Sequence, residues 1–181
     1  AGLAPLDLRE LRGRVGYART ADGHAVFSDD LQFATAEGEH WPGGAVRLGW
    51  RGERPGDGPL EVSADRLDLS ALTRIGQRLP LPVALREALS AHQPQGQLER
   101  LKAQWQDQPS GARYSAKGLW RQARLKPAMV AGRWPLPGLQ GADLDFDFDQ
   151  AKGRVQLRMK SGVFVGALGL SEPRLVVDKA Q

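Results

Sequence analysis

The stretch "ADLDFDFDQAKGRVQLRMKSG", residues 142–162, decides the fold. Asp143, Asp145, Asp147 and Asp149 alternate with Leu144, Phe146 and Phe148. Beyond Lys152-Gly153, Arg154, Gln156, Arg158 and Lys160 alternate with Val155, Leu157 and Met159. Residues two apart in a strand share a face, so both runs read as strands with one charged and one apolar face. The turn between them makes a β-hairpin. Pairing in which partner numbers sum to 303 sets Phe148 opposite Val155, Phe146 opposite Leu157 and Leu144 opposite Met159. It also sets Asp149 opposite Arg154, Asp145 opposite Arg158 and Asp143 opposite Lys160. An odd sum is favoured, because a one-residue slip would mix the two faces. Each cross-strand ion pair is worth about 0.2–1 kcal/mol. The aspartates therefore read as a solvated face with neutralising partners, and no glycine-turned loop wraps a calcium ion.

The same alternation runs through most of the chain. Residues 13–20 read as a strand ended by Asp22-Gly23. One or two strands follow over 24–38, with Leu31 and Phe33 in phase. Residues 40–52 place Val46, Leu48 and Trp50 on one face, a Gly/Pro-rich loop covers 52–59, and Leu60 and Val62 are in phase after it. The period changes over 68–94, which reads as a helical insertion. Leu72, Ile75 and Leu79 have helical spacing after Asp68 or Ser70 as N-cap. Pro82 opens a second helix with Leu81, Leu85, Ala88, Leu89 and His92 on one face, and Pro94-Gln95-Gly96 ends it. Short strands then return to the end of the chain, among them 128–135, 154–160 and 162–168. The expectation is a mainly β protein of about ten antiparallel strands with a short two-helix insertion, and one segment over residues 1–181.

Composition excludes several functions. The 181 residues include no cysteine, which removes disulfides, thiolate zinc sites and cysteine nucleophiles. The net charge of +4 comes from interspersed signs without a basic stripe, so no nucleic-acid partner is expected. No apolar run approaches the ~20 residues that span a bilayer. His24, His40 and His92 are far apart for a zinc site. Neither a G-x-S-x-G elbow nor a phosphate-binding glycine loop occurs. No catalytic residue, metal or cofactor is expected. Trp41, Trp50, Trp105, Trp120 and Trp134 are scattered and read as core or groove rim.

Residues 67–105, "LDLSALTRIGQRLPLPVALREALSAHQPQGQLERLKAQW", join an L-x-L strand end, a helix, a Leu-Pro break, a second helix, P-x-G and a strand ending in tryptophan. "GLW" at 118–120 and the P-G-L-x-G hairpin at 134–164 follow. In these elements the chain resembles the YhdP branch of the AsmA-like superfamily, relatives of TamB and similar to bridge-like lipid transporters. The resemblance covers 60–165 well and the first sixty residues loosely. It implies a long twisted antiparallel sheet curled into an open trough, apolar inside and charged outside. It implies periplasmic proteins of Gram-negative bacteria, anchored in the inner membrane by an N-terminal segment, that carry phospholipid toward the outer membrane. This chain, much shorter than such proteins and without the anchor, is then expected to be an internal fragment flanked by neighbouring segments of the same long chain. On that basis Leu31, Phe33, Val46, Leu48, Leu144, Phe146, Phe148, Val155, Leu157 and Met159 are the expected lipid-groove lining. The residues alone leave a closed sandwich core open as the alternative, because both arrangements demand one apolar face.

Overall fold

Among the described residues the strands pair antiparallel and form a single open sheet. The computed structural model describes residues 5–21, 23–54, 57–79, 81, 83–106, 111, 113–128, 137–165 and 174–178. The strands are β1 (Leu8–Thr20), β2 (Gly23–Thr35), β3 (His40–Trp41), β4 (Val46–Arg51), β5 (Leu60–Asp68), β6 (Gln95–Gln106), β7 (Arg113–Leu125), β8 (Gly138–Asp149), β9 (Gly153–Val165) and β10 (Arg174–Asp178). They pair in the order β1-β2-β4-β5-β6-β7-β8-β9-β10, with β3 beside β2, all antiparallel. The ends do not meet, so this is the expected mainly β, open antiparallel sheet and no barrel. The run 154–160 and the described part of 162–168, which read as two strands, are joined in the single long β9, and residues 166–168 lie outside the described residues. Most of the expected strand 128–135, and Trp134, lie outside the described residues.

Bulges bend these strands. Register shifts fall between Arg12 and Arg14, Glu99 and Lys102, Trp120 and Ala123, and Gln140 and Ala142. Asp30, Arg100 and Gln122 carry the positive φ values of 48°, 52° and 49° there. An extra residue interrupts the ladder and increases bend and twist. One consequence is visible in the core. Leu98 and Leu101 pack on the same cluster although three residues apart, which a regular period of two forbids; Arg100 between them turns the strand. Gly141, at φ 80°, serves the same purpose on β8, where a Cβ would lie 2.8 Å from the Ser161 carbonyl oxygen.

The helices α1 (Leu69–Ile75) and α2 (Val83–His92) lie between β5 and β6, joined through a 3-10 turn at Gly76–Arg78. Asp68 caps α1: its Oδ1 accepts from the Ala71 N–H at 2.9 Å. Ala71 and Ile75 are buried with Trp41, Ala64 and Leu67, and Phe33, Val46, Leu72, Leu79, Leu98 and Leu101 pack around them. Arg78 Nη2 donates to Glu37 Oε1 at 2.8 Å and ties the helices to the turn after β2. In α2 the inward residues are Leu89 and the buried His92, whereas Leu85 is 43% exposed. The expected inward position of Leu85 is thus corrected. The reason is that α2 rests on the 3-10 turn, where Leu89 and Leu81 flank Gly76, and this narrows its buried stripe. A second buried cluster, Ala123, Leu139, Ala142 and Met159 with Trp120, Leu125, Leu144 and Phe164, closes the corresponding part of β7–β9.

Candidate functional site, the open apolar face

Residues paired across strands share a face, so the register assembles side chains distant in sequence. One row crosses the sheet as His24, Trp50, Leu60, Trp105 and Tyr114. The next is Tyr17, Val26, Leu48, Val62, Ala103, Ala116 and Phe148. Ser28, Val46, Ala64 and Leu101 form part of a third, which Gly118, Phe146 and Val155 continue. Trp120, Leu144 and Leu157 lie beyond. The two buried clusters sit at the end of this face where the helices attach. Toward the hairpin loops the same face is open: Val155 is 60% exposed, Trp105 47% and Leu157 42%.

Aromatic rings concentrate at that open end. Tyr17 stacks on His24 with centroids 5.8 Å apart, and His24 on Trp50 at 5.6 Å. The Tyr17 hydroxyl is hydrogen-bonded to His24 Nδ1. Trp105 stacks on Tyr114 at 5.9 Å, Tyr114 meets Phe148 edge-on, and Phe148 touches Phe146. The Trp50 indole N–H is buried without a hydrogen-bond partner, a state that costs about 1–3 kcal/mol.

The opposite face is charged. Phe27, Arg47, Ser63, Lys102, Lys117, Asp147 and Arg154 form one of its rows. The Arg47 guanidinium lies 5.9 Å over the Phe27 ring. A hollow of about 500 Å³ lies against this face, lined by Arg47, Glu61, Ser63, Lys102, Lys117 and Asp147 among others. A twisted sheet is saddle-shaped and so is concave along one diagonal on each side. The periodicity separates the two faces but does not reveal this hollow.

The expected lining residues are distributed as follows. Phe146, Phe148, Val155, Leu157, Leu48 and Leu144 lie on the apolar face, and Leu144 also touches the second cluster. Met159 is buried in that cluster. Phe33 stacks on Trp41 at 6.1 Å beneath the helices, and Val46 packs on the same cluster. Leu31 is half-buried in β2, in phase with Phe33.

The hairpin register differs from the expected one by two residues. Partner numbers sum to 301, with Phe146 opposite Val155, Leu144 opposite Leu157 and Asp147 opposite Arg154. The sum is odd and the faces are as expected; the partners are not. The turn is the cause. The Asp149 N–H donates to the Lys152 carbonyl at 2.8 Å, and Asp149 Oδ1 accepts from the N–H groups of Ala151 and Lys152 at 2.7 and 2.9 Å. This closes a two-residue loop where a longer one was expected. Those two N–H groups also hold the Asp149 carboxyl below the ordinary aspartate range. The expected ion pairs across the hairpin do not form. Asp143 instead accepts from Arg121 Nη1 of β7 at 3.1 Å.

The histidines stay apart: His24 is in the aromatic row, His40 is exposed on β3 and His92 is buried in α2. Among the described residues no three acidic or histidine side chains come together as metal ligands, and no helix is long and apolar enough to cross a membrane. Trp50 and Trp105, which read from the sequence as core or groove rim, join His24 and Tyr114 in one row that alternation alone does not reveal. Its signal is the in-phase placement of Trp50, Trp105 and Tyr114 beside loops, which becomes a row only once the loop registers are known.

In comparisons with known proteins, neither a curated protein nor a solved structure matches the chain. The family model described as YhdP protein matches residues 3–181. The chain therefore belongs to the YhdP family, which is associated with lipid transport rather than catalysis.

Proposed function

We propose that this chain is a segment of a periplasm-spanning carrier whose apolar face conducts phospholipid acyl chains between the inner and outer membranes. One observation carries the reading. An apolar face runs without interruption from β1 to β9, and at its loop end it is left open to solvent, with Val155, Leu157 and Trp105 about half-exposed. Acyl chains laid on it exchange water for protein at ~25 cal/mol per Å² of apolar surface. Between its loop end and the buried clusters the face is lined by apolar side chains, which hold an acyl chain at no single position and suit passage rather than storage. In this reading the full-length protein is held at the inner membrane of a Gram-negative bacterium by an N-terminal anchor.

A photoreactive residue placed in turn at Phe146, Leu157, Asp145 and Arg158 of the full-length protein tests this. Lipid adducts should form from the first two and not from the last two. Equal labelling of both faces, or none, would remove the lipid role from this segment.

One observation favours a second reading, a structural module whose edges join other segments. β1 is an edge strand with Leu11 60% and Val15 65% exposed, a combination that soluble sheets ordinarily avoid. Neighbouring segments of the same long chain would pair with it and continue the face. The face-resolved labelling separates the readings, since a purely structural module yields no lipid adducts.

A further inference from the structure

The two ends of the strands are chemically different, and the difference bears on how an amphiphile lies on the apolar face. At one end the face is filled by the helix-covered cluster around Ile75 and Leu67 and by the cluster around Met159. At the other end, beside the hairpin loops, it finishes in the row His24, Trp50, Trp105 and Tyr114, with Arg19 paired to His24 at the β1 edge. Rings with an apolar body and a polar edge collect where an apolar region meets water.

Resting on the lipid-carrying reading, we propose that this aromatic row is the headgroup rim of the groove. The phosphodiester and glycerol of each phospholipid lie along His24, Trp50, Trp105 and Tyr114, and the acyl chains run down the strands toward the helices. Three observations converge on this polarity.

The first is length. Trp105 and Leu101 are four residues apart on β6, so the open part of the face between the rim and the helix-covered cluster measures ~13 Å at ~3.3 Å per residue. The hydrocarbon of one bilayer leaflet is ~15 Å deep, half of a ~30 Å core. The open stretch is thus close to one leaflet in depth, and an acyl chain laid along it with its headgroup at the rim reaches the covered cluster. The second is the cost of the reverse orientation, which would lay a charged phosphate at the helix-covered end of the face, where Leu67, Ala71 and Ile75 are already buried under apolar packing. The third is the polar chemistry of the rim. It holds the Arg19 cation, the hydrogen-bonded Tyr17–His24 pair and the Trp50 indole N–H, a donor without an acceptor.

The test uses the full-length protein with benzoylphenylalanine in place of Tyr114 and, separately, of Trp105, Phe146 and Leu157. Each variant is irradiated with vesicles of phosphatidylethanolamine and phosphatidylglycerol, and tandem mass spectrometry reads which part of the lipid carries the protein. The Tyr114 and Trp105 positions should attach to the headgroup or glycerol, and the Phe146 and Leu157 positions to the acyl chains. Two rim positions are used so that misfolding of one variant leaves the other informative. Acyl-chain adducts at both rim positions, or headgroup adducts concentrated at Leu157, would overturn the polarity while leaving the lipid-carrying reading in place. Absence of lipid adducts at all four positions would overturn that reading itself, and the polarity with it.

Discussion

Asp143 binds backwards along the chain. Its Oδ2 accepts from Arg121 Nη1 at 3.1 Å and its Oδ1 from the Gln122 backbone N–H at 2.9 Å, so both partners lie on β7, and none on the β9 strand that follows. Gln122 is the bulge residue with φ 49°, and the carboxylate takes the N–H that the bulge removes from the ladder. The Arg121–Asp143 hydrogen bond, ahead of the charge itself, raises the Arg121 pKa. Asp143→Ala should speed amide hydrogen exchange at Gln122 while leaving amides at the β8–β9 turn unchanged. Unchanged exchange at Gln122 would remove Asp143 from this role.

The hairpin register can be read with cysteines, because the chain has none of its own. Asp149 and Lys152 form a hydrogen-bonded pair, so Phe146 and Val155, three positions further along each strand, form a non-hydrogen-bonded pair with Cα atoms ~4.5 Å apart. The double variant Phe146→Cys with Val155→Cys should oxidise readily to a disulfide. Phe146→Cys with Leu157→Cys should not, and a reversal of that order would restore the pairing that sums to 303.

Asp149 supplies a pH signature. Its carboxyl pKa is lowered by the Ala151 and Lys152 N–H groups, then by the charge of Lys152. A depressed pKa means that its stabilising contribution is complete above the unfolded-state value of about 3.9 and is lost as pH falls through the lower folded value. Carboxyl titration followed by NMR should place Asp149 below the ordinary aspartate range. In Asp149→Ala the loosening of this hairpin on acidification, seen as faster hydrogen exchange, should no longer track that titration.

Burial separates two leucine-sized residues of the insertion. Ile75 is 2% exposed inside the helix–sheet cluster, and Ile75→Ala should destabilise by about 2–4 kcal/mol in urea denaturation. Leu85, 43% exposed, should cost under about 1 kcal/mol when changed to Ala. Equal losses at both sites would mean that α2 packs differently.

Asp145 and Asp147 are exposed and stand in no ion pair among the described residues. Replacing both by Asn should change stability by no more than about 1 kcal/mol. Calorimetry should detect no saturable calcium binding to the parent chain. Micromolar binding abolished by the double change would make this face a metal site.

The sequence by itself determined which residues share a face, because a strand's side-chain period is two whatever lies on either side of it. It also determined the helical insertion, through the shift to a period near 3.6 and the Asp68 cap. The odd register sum followed from the same periodicity. Three things only the tertiary structure decided. The pairing of Phe146 with Val155 depends on a two-residue turn built by Asp149 hydrogen bonds, and a shift of two residues leaves the alternation unchanged. The packing of Leu98 and Leu101 on one cluster depends on a bulge at Arg100, where the strand departs from its period. The openness of the apolar face depends on where the helices settle, and an apolar stripe has the same pattern whether another layer covers it or not.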